Sequence, residues 1–297
     1  MLSWLVALPL WLGGQGSPIP SRRWSPPRCS RRPSSAIPAL LVERRARAPS
    51  GAAPPRQVAL RPLGRTLGWS AAMIFVMPLL VAAALVVCAV TGIARFDLVG
   101  FSGFVDMLRA TLPAGAELPP APLIITLQLV AIPIGALLNI PFAFGEEVGW
   151  RGWLLPALRP LGVWPALLLS GAFWGFWHAP LILLGYNFGE PNPLGLAMMV
   201  VGSMLIGVII GWTRLHTGSV WPAVLAHGAF NASAGMGALF LAAGEAPPPT
   251  LAGPIGVAMW LVCAVVIAVM VACGAFRPAA VSGELGPDPA PRAALSA

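Results

Sequence analysis

The chain contains no lysine and little charge of any kind. Only 9% of its 297 residues are Asp, Glu, Lys or Arg, against roughly a quarter in a soluble domain. With 57% hydrophobic residues and a mean hydropathy of +0.80, a water-exposed globular surface is excluded and a multi-pass membrane protein is the expectation. Cysteine is sparse, with four residues. Cys88, Cys263 and Cys273 fall in apolar runs and Cys29 among arginines. No spacing suits a zinc knuckle or a disulfide framework, so they read as small buried hydrophobes.

All 18 basic residues are arginine, and eleven of them lie in residues 1–65, opposed by Glu43 alone. From residue 66 onward seven arginines face nine acidic residues. The isoelectric point near 11.1 therefore belongs to a Pro-, Ser- and Arg-rich tail without a folded platform. This excludes nucleic acid as a partner and favours anionic lipid headgroups. The opening MLSWLVALPLWLGG is too short to span and lacks a positive leader. Arg22-Arg23 is no twin-arginine signal, because Ser25, Pro26, Pro27 and Arg28 follow where an apolar region would begin. An Arg- and Ser-rich, acid-poor leader resembles an organelle transit peptide, and a start codon placed too early gives the same appearance. The expected organisation is a disordered tail over 1–65, an all-α membrane domain over 66–276 and a disordered tail over 277–297.

Six apolar stretches, at about 69–94, 121–144, 162–182, 194–213, 219–243 and 253–275, are each long enough to cross about 30 Å of hydrocarbon. The fold class expected is a polytopic helix bundle of about six to eight membrane helices. By the positive-inside rule, Arg151, Arg159, Arg214 and Arg277 share the cytoplasmic side with the Arg-rich tail. Asp97, Asp106, Glu117, Glu190 and Glu245 take the other side, with Arg95 and Arg109. Both termini are then cytoplasmic, and the plasma membrane of a bacterium is the expected location.

Within this apolar background Glu146 and Glu147 are adjacent, and an intramembrane carboxylate is a functional-site hypothesis by default. On a helix Glu147 and Arg151 are i and i+4 and pair, whereas Glu146 points about 100° away and is left to accept a proton from water. The structural alternative is a charged cap at a helix N-terminus. Ser170, Trp174 and His178 recur every four residues, so a hydroxyl, an aromatic ring and an imidazole share a face, and Pro180 ends or kinks that helix. His178 could hold a water, bind a metal, or simply pack with one hydrogen bond. His227 and Asn231 are again i and i+4. Two such donors suit an oxyanion, although the small residues around them, Gly228, Ala229, Ala232 and Gly235, equally permit close helix packing. His216 carries no expected role, and neither does the loop 185–193 with the single tyrosine.

Straight helices do not bring these groups together. Glu146 would lie ~37 Å along its span, His178 ~24 Å and His227 ~12 Å along theirs. A break at Pro141 or Gly145 is therefore expected, with residues 142–158 forming a separate helix that enters the membrane or a wet cavity.

The ordered trio Glu146-Glu147-x-x-x-Arg151, Trp174-x-x-x-His178 and His227-x-x-x-Asn231 resembles the CPBP family, the CAAX prenyl protease 2 and bacteriocin-processing intramembrane proteases. The resemblance covers about residues 121–245. It implies an intramembrane endopeptidase in which Glu146 and His178 activate water, Glu147 and Arg151 support them, and His227 with Asn231 forms the oxyanion hole. The second motif usually begins with Phe; here Trp174 stands there and Phe173 is displaced by one. The family has been labelled metalloprotease, yet the chain has no His-Glu-x-x-His pair. His178, His227 and Glu146 could make a two-His, one-carboxylate site for zinc or another divalent metal; general-base catalysis by Glu146 without a metal cofactor is the preferred expectation. The partners implied are a membrane-associated peptide or protein substrate and the bilayer, with the oligomeric state open. A Glu/His proton relay in a transporter and a noncatalytic immunity or scaffold protein are the competing classes. The first lacks its expected signature of two similar halves.

Overall fold

The computed structural model describes residues 63–113 and 116–284; the arginine-rich tail, the apolar opening segment and their expected roles lie outside them. Among the described residues the structure is all-α, with one isolated bridge, Phe96 to Leu241, as its only extended pairing. The principal helices are α1 (Leu63–Val90), α2 (Ser102–Thr111), α3 (Ala121–Leu138), α4 (Ile140–Glu147), α5 (Val163–Trp177), α6 (Pro193–Thr217), α7 (Trp221–Ser233) and α8 (Val257–Ala272).

Four helical segments are long and apolar enough to cross a membrane: Thr66–Val90 in α1, Ala121–Leu138, Pro193–Thr217, and Pro249–Ala272, which joins a short turn to α8. The chain is a multi-pass membrane protein. The third and fifth apolar stretches behave differently. Residues 163–177 form a shorter apolar helix, and residues 219–243 form only the 13-residue α7 followed by a turn at Met236–Leu239. α7 is buried continuously from Pro222 to Phe230, because α1, α3, α4 and α6 all pack around it. A helix that is apolar all round belongs in a core, and this one sits at the centre of the bundle.

Small residues set the close approaches. A Cβ on Gly171 would lie 2.6 Å from Met204 Cα, and one on Gly175 would lie 2.6 Å from Val200 Cα. α5 and α6 thus meet backbone to backbone, as small residues at four-residue spacing allow in membranes.

The break after α3 falls at Asn139, slightly before the expected Pro141. Asn139 keeps its N–H and Nδ2 on the Gly135 carbonyl, at 2.9 and 2.8 Å, while Pro141 has no N–H to continue the ladder and stands in the first turn of α4. Gly145 stays helical. Two ends of the bundle are separately tied. At one, Arg95 pairs with Glu245 at 2.8 Å, Asp97 N–H bonds the Phe240 carbonyl, and Ser102 Oγ accepts from Ala243 N–H. At the other, Trp212 Nε1 donates to the Ala275 carbonyl at 2.7 Å, His216 Nδ1 lies 2.8 Å from the Ala280 carbonyl, and Trp164 meets Phe276. The expected disorder from residue 277 is corrected over its first part: Pro278–Glu284 is a 3-10 segment against α6, anchored by the buried Val281.

Candidate functional site

Glu146 and Glu147 close α4, and the backbone then widens into a π-helical run, Val148–Leu154, whose end is marked by Leu155 N–H bonding the Trp150 carbonyl five residues back. Such π segments are rare and concentrate at functional sites. The run carries Arg151 inward, where it is 1% exposed, next to Glu147 at 0%. Arg151 Nη1 donates to Glu147 Oε1 at 2.7 Å. The expected pairing is thus present, but Arg151 is not a loop charge at the membrane surface. Arg214 is buried as well.

The same Glu147 oxygen faces Nδ1 of His227, 2.9 Å away on α7. Opposite a carboxylate already engaged by a guanidinium, Nδ1 is the protonated nitrogen and donates, which leaves Nε2 for any other partner. α7 comes close enough because Gly228 has no side chain; a Cβ there would sit 2.7 Å from the Ala136 carbonyl oxygen. Arg151 is crossed by α6 at Gly207, where a Cβ would lie 3.3 Å from Nη2. Nothing in the charged motifs announces Gly207. The readable signal was the four-residue glycine spacing of Gly171-x-x-x-Gly175 and of Gly207-x-x-x-Gly211; in the structure Gly207 meets Gly171, whereas Gly175 lies against Val200 and Gly211 against Leu167.

From α5, Trp174 joins the cluster. Its Nε1–H donates to Glu146 Oε2 at 3.0 Å, its ring lies 4.6 Å from Arg151 Cζ, and its centroid is 5.1 Å from that of His227. His178 is the last residue of that face, at the end of α5, where Pro180 starts a new turn over Ala179–Ile182. Its Nδ1 lies 2.8 Å from the Trp174 carbonyl oxygen and donates to it, so the neutral ring carries its lone pair on Nε2. Trp177, which the motifs do not single out, stands perpendicular to the His178 ring at 4.9 Å. Ser170, on the same face, is buried and approaches the Trp150 carbonyl at 3.4 Å.

Two layers result. Glu147, Arg151, His227 and Trp174 are buried, whereas Glu146 and His178 are half-buried. Asn231 lies one turn beyond His227 on α7, is exposed, and its side chain makes no hydrogen bond among the described residues. The structure therefore joins Glu146, Glu147, Arg151, Trp174 and His227 by direct contact, ties His178 to Trp174, and leaves Asn231 at the rim. Among the described residues no three His, Cys, Asp or Glu side chains group so as to hold a metal. His178, His227 and Glu146 form no such group in this arrangement.

Residues 123–233, which contain every residue of this cluster, match the family described as Type II CAAX prenyl endopeptidase Rce1-like. Over that segment the chain is similar to the CPBP family. It is also 31% identical over 107 residues to CAAX prenyl protease 2 of Methanococcus maripaludis. That alignment covers 34% of this chain and 39% of the relative, so the chain matches well under half of that protein's length. No solved structure matches. The CPBP match begins in α3 and ends with α7, leaving α1, α2 and α8 as the surround.

Proposed function

We propose that the chain is an intramembrane endopeptidase that hydrolyses a peptide bond of a membrane-associated substrate. The reading is carried by the convergence of three sequence-distant motifs on one ion cluster, through Glu147–His227 at 2.9 Å and Trp174–Glu146 at 3.0 Å. Glu146, the accessible carboxylate, takes a proton from a water that His178 also holds through Nε2. The hydroxide adds to the scissile carbonyl, and the tetrahedral oxyanion is stabilised by His227 and Asn231. Collapse breaks the C–N bond, and the proton held by Glu146 passes to the leaving amine. With Nδ1–H on Glu147, His227 offers a second donor at Nε2 only as the imidazolium, for which Glu147 is the counter-ion. Arg151 fixes Glu147, and no step needs a metal.

The relative's name speaks for prenylated CAAX tails as one substrate class, and a bacteriocin-like peptide is a second. The distribution of arginine supports both termini in the cytoplasm, and a bacterial plasma membrane is the location proposed with it. The test is cleavage of a panel of farnesylated CAAX and membrane-tethered peptides by detergent-purified protein, comparing wild type with Glu146→Gln, with and without a strong chelator. Cleavage by wild type alone, indifferent to chelator, is the expected result. Turnover retained by Glu146→Gln removes Glu146 as the base. Chelator sensitivity restored by zinc overturns the metal-free mechanism.

A further inference from the structure

Trp174 departs from the pattern of its motif, and the structure shows what the departure adds. A phenylalanine is a smaller aromatic side chain and has no N–H. Phe173, the displaced aromatic, is 51% exposed and turned away from the cluster, so Trp174 alone occupies the site position. Its indole is 4% exposed and held on several sides: Arg151 Cζ at 4.6 Å, the His227 ring at 5.1 Å, and its own carbonyl under His178 Nδ1. The helix beneath it is fixed as well, because Gly171 and Gly175 on either side of that turn lie against α6 backbone. A donor fixed this way keeps its direction.

We propose that Trp174 is a positioning residue for Glu146: its indole N–H holds the carboxylate through Oε2, so that Oε1 is the oxygen that takes the proton from water. This deepens the endopeptidase reading and rests on Glu146 being the base. A hydrogen bond from a buried donor to an ionised carboxylate is charge-assisted and directional, and it removes one rotational freedom from the half-buried Glu146 side chain. Orientation of a reacting group is where small displacements cost large factors in rate. The same indole spans Glu146, Arg151 and His227, so it couples the base to the buried Glu147 ion pair without touching the reacting atoms itself.

Two measurements test this. In the first, the ultraviolet resonance Raman difference between wild type and Trp174→Phe isolates the indole N–H band of Trp174, and the same difference is taken in a Glu146→Ala background. The band is expected to move to the frequency of an indole without a strong acceptor when Glu146 is removed; an unmoved band overturns the hydrogen bond. The second is cleavage of a farnesylated CAAX peptide by Trp174→Phe and by protein carrying 3-benzothienylalanine at 174, an isostere lacking only the N–H. Both are expected to lose about tenfold in kcat with KM unchanged, and the benzothienylalanine protein, which keeps the bicyclic volume, is expected to hold wild-type thermal stability. If Glu146→Gln is inactive while both Trp174 replacements keep full kcat, the positioning role falls and the endopeptidase reading stands. If Glu146→Gln still cleaves, the reading beneath the proposal falls, whatever the Trp174 replacements do.

Discussion

Glu147 Oε1 accepts from Arg151 Nη1 at 2.7 Å and from His227 Nδ1 at 2.9 Å, so a single buried oxygen joins the π-helical segment to α7. α6 packs over the pair at Gly207. The arrangement makes one carboxylate a shared structural acceptor and leaves the neighbouring carboxylate, Glu146, half-buried with its Oε2 on the Trp174 indole. Two adjacent glutamates thereby acquire different environments. A buried pair contributes little beyond what desolvation costs, but removing one partner strands the other.

Replacing Arg151 with methionine should therefore destabilise the bundle by about 3–5 kcal/mol, because Glu147 is left fully buried with only His227 as partner. Thermal unfolding in detergent should show a clearly lowered midpoint. Arg151→Lys should recover part of the loss, since an ammonium restores the charge but not the guanidinium's stacking against Trp174. A wild-type midpoint for Arg151→Met would show that the pair does not hold the segment to the core.

His227 and Asn231 should separate stability from activity. Loss of one oxyanion donor typically lowers kcat by about 10²–10³, so both His227→Ala and Asn231→Ala are expected to lose turnover on a membrane-tethered peptide. Asn231 is exposed, whereas His227 is 4% exposed and tied to Glu147. Only His227→Ala should also lower the unfolding midpoint. Full activity in Asn231→Ala would remove it from the oxyanion reading.

Much of this site was legible in the sequence. The i, i+4 pairing of Glu147 with Arg151 follows from helical spacing alone, and it is made although Arg151 lies inside the π-helical run. The need for a chain break before Glu146 was also readable from the mismatch of depths along straight helices. The break's place was not, since Asn139 terminates α3 with its own side chain on Gly135 and leaves Pro141 as a start rather than a stop. The link from His227 to Glu147 was hidden. Residue spacing reports which groups share a helix face, but which neighbour that face meets depends on how close the backbones come, and here glycines at 171, 207 and 228 decide it. The fifth apolar stretch misled by length: composition long enough to span yielded a 13-residue helix enclosed by its neighbours.

Gly171→Ala tests that dependence on close approach. The new Cβ would lie 2.6 Å from Met204 Cα and 2.9 Å from the Ser203 carbonyl oxygen, both main-chain atoms that cannot swing aside. Overpacking of this kind costs about 1–3 kcal/mol, which exceeds the roughly 1 kcal/mol gained from helix propensity. Gly68→Ala in α1 has open space around its Cβ and serves as the contrast, expected to be neutral or stabilising. Equal unfolding midpoints for the two variants would mean that α5 and α6 are not in backbone contact.

Acid should loosen the tied loop end before it affects the bundle. Asp97 accepts N–H groups from Gly100 at 2.8 Å, Val99 at 3.1 Å and Ser102 at 3.2 Å, and so caps α2, whose N-cap Phe101 offers no side-chain bond. Those bonds, the Gly100 N–H foremost and then the Ser102 hydroxyl, hold its carboxyl down to about 2 from an ordinary 3.8. Glu245 is likewise lowered, first by the Arg95 backbone N–H and then by its side chain. Because the folded form binds its proton less readily than the unfolded one, the stabilisation is fully present above about pH 4 and is lost as pH falls towards 2. Hydrogen exchange of the Val99, Gly100 and Ser102 amides, corrected for intrinsic rate, should show protection at pH 6 that declines between pH 4 and 2. Asp97→Asn should show lowered protection already at pH 6, since its one amide oxygen accepts the Val99 and Gly100 N–H groups without the charge and its NH2 cannot accept from Ser102. Unchanged protection in that variant would remove Asp97 as the cap and return the tie to Arg95 and Glu245 alone.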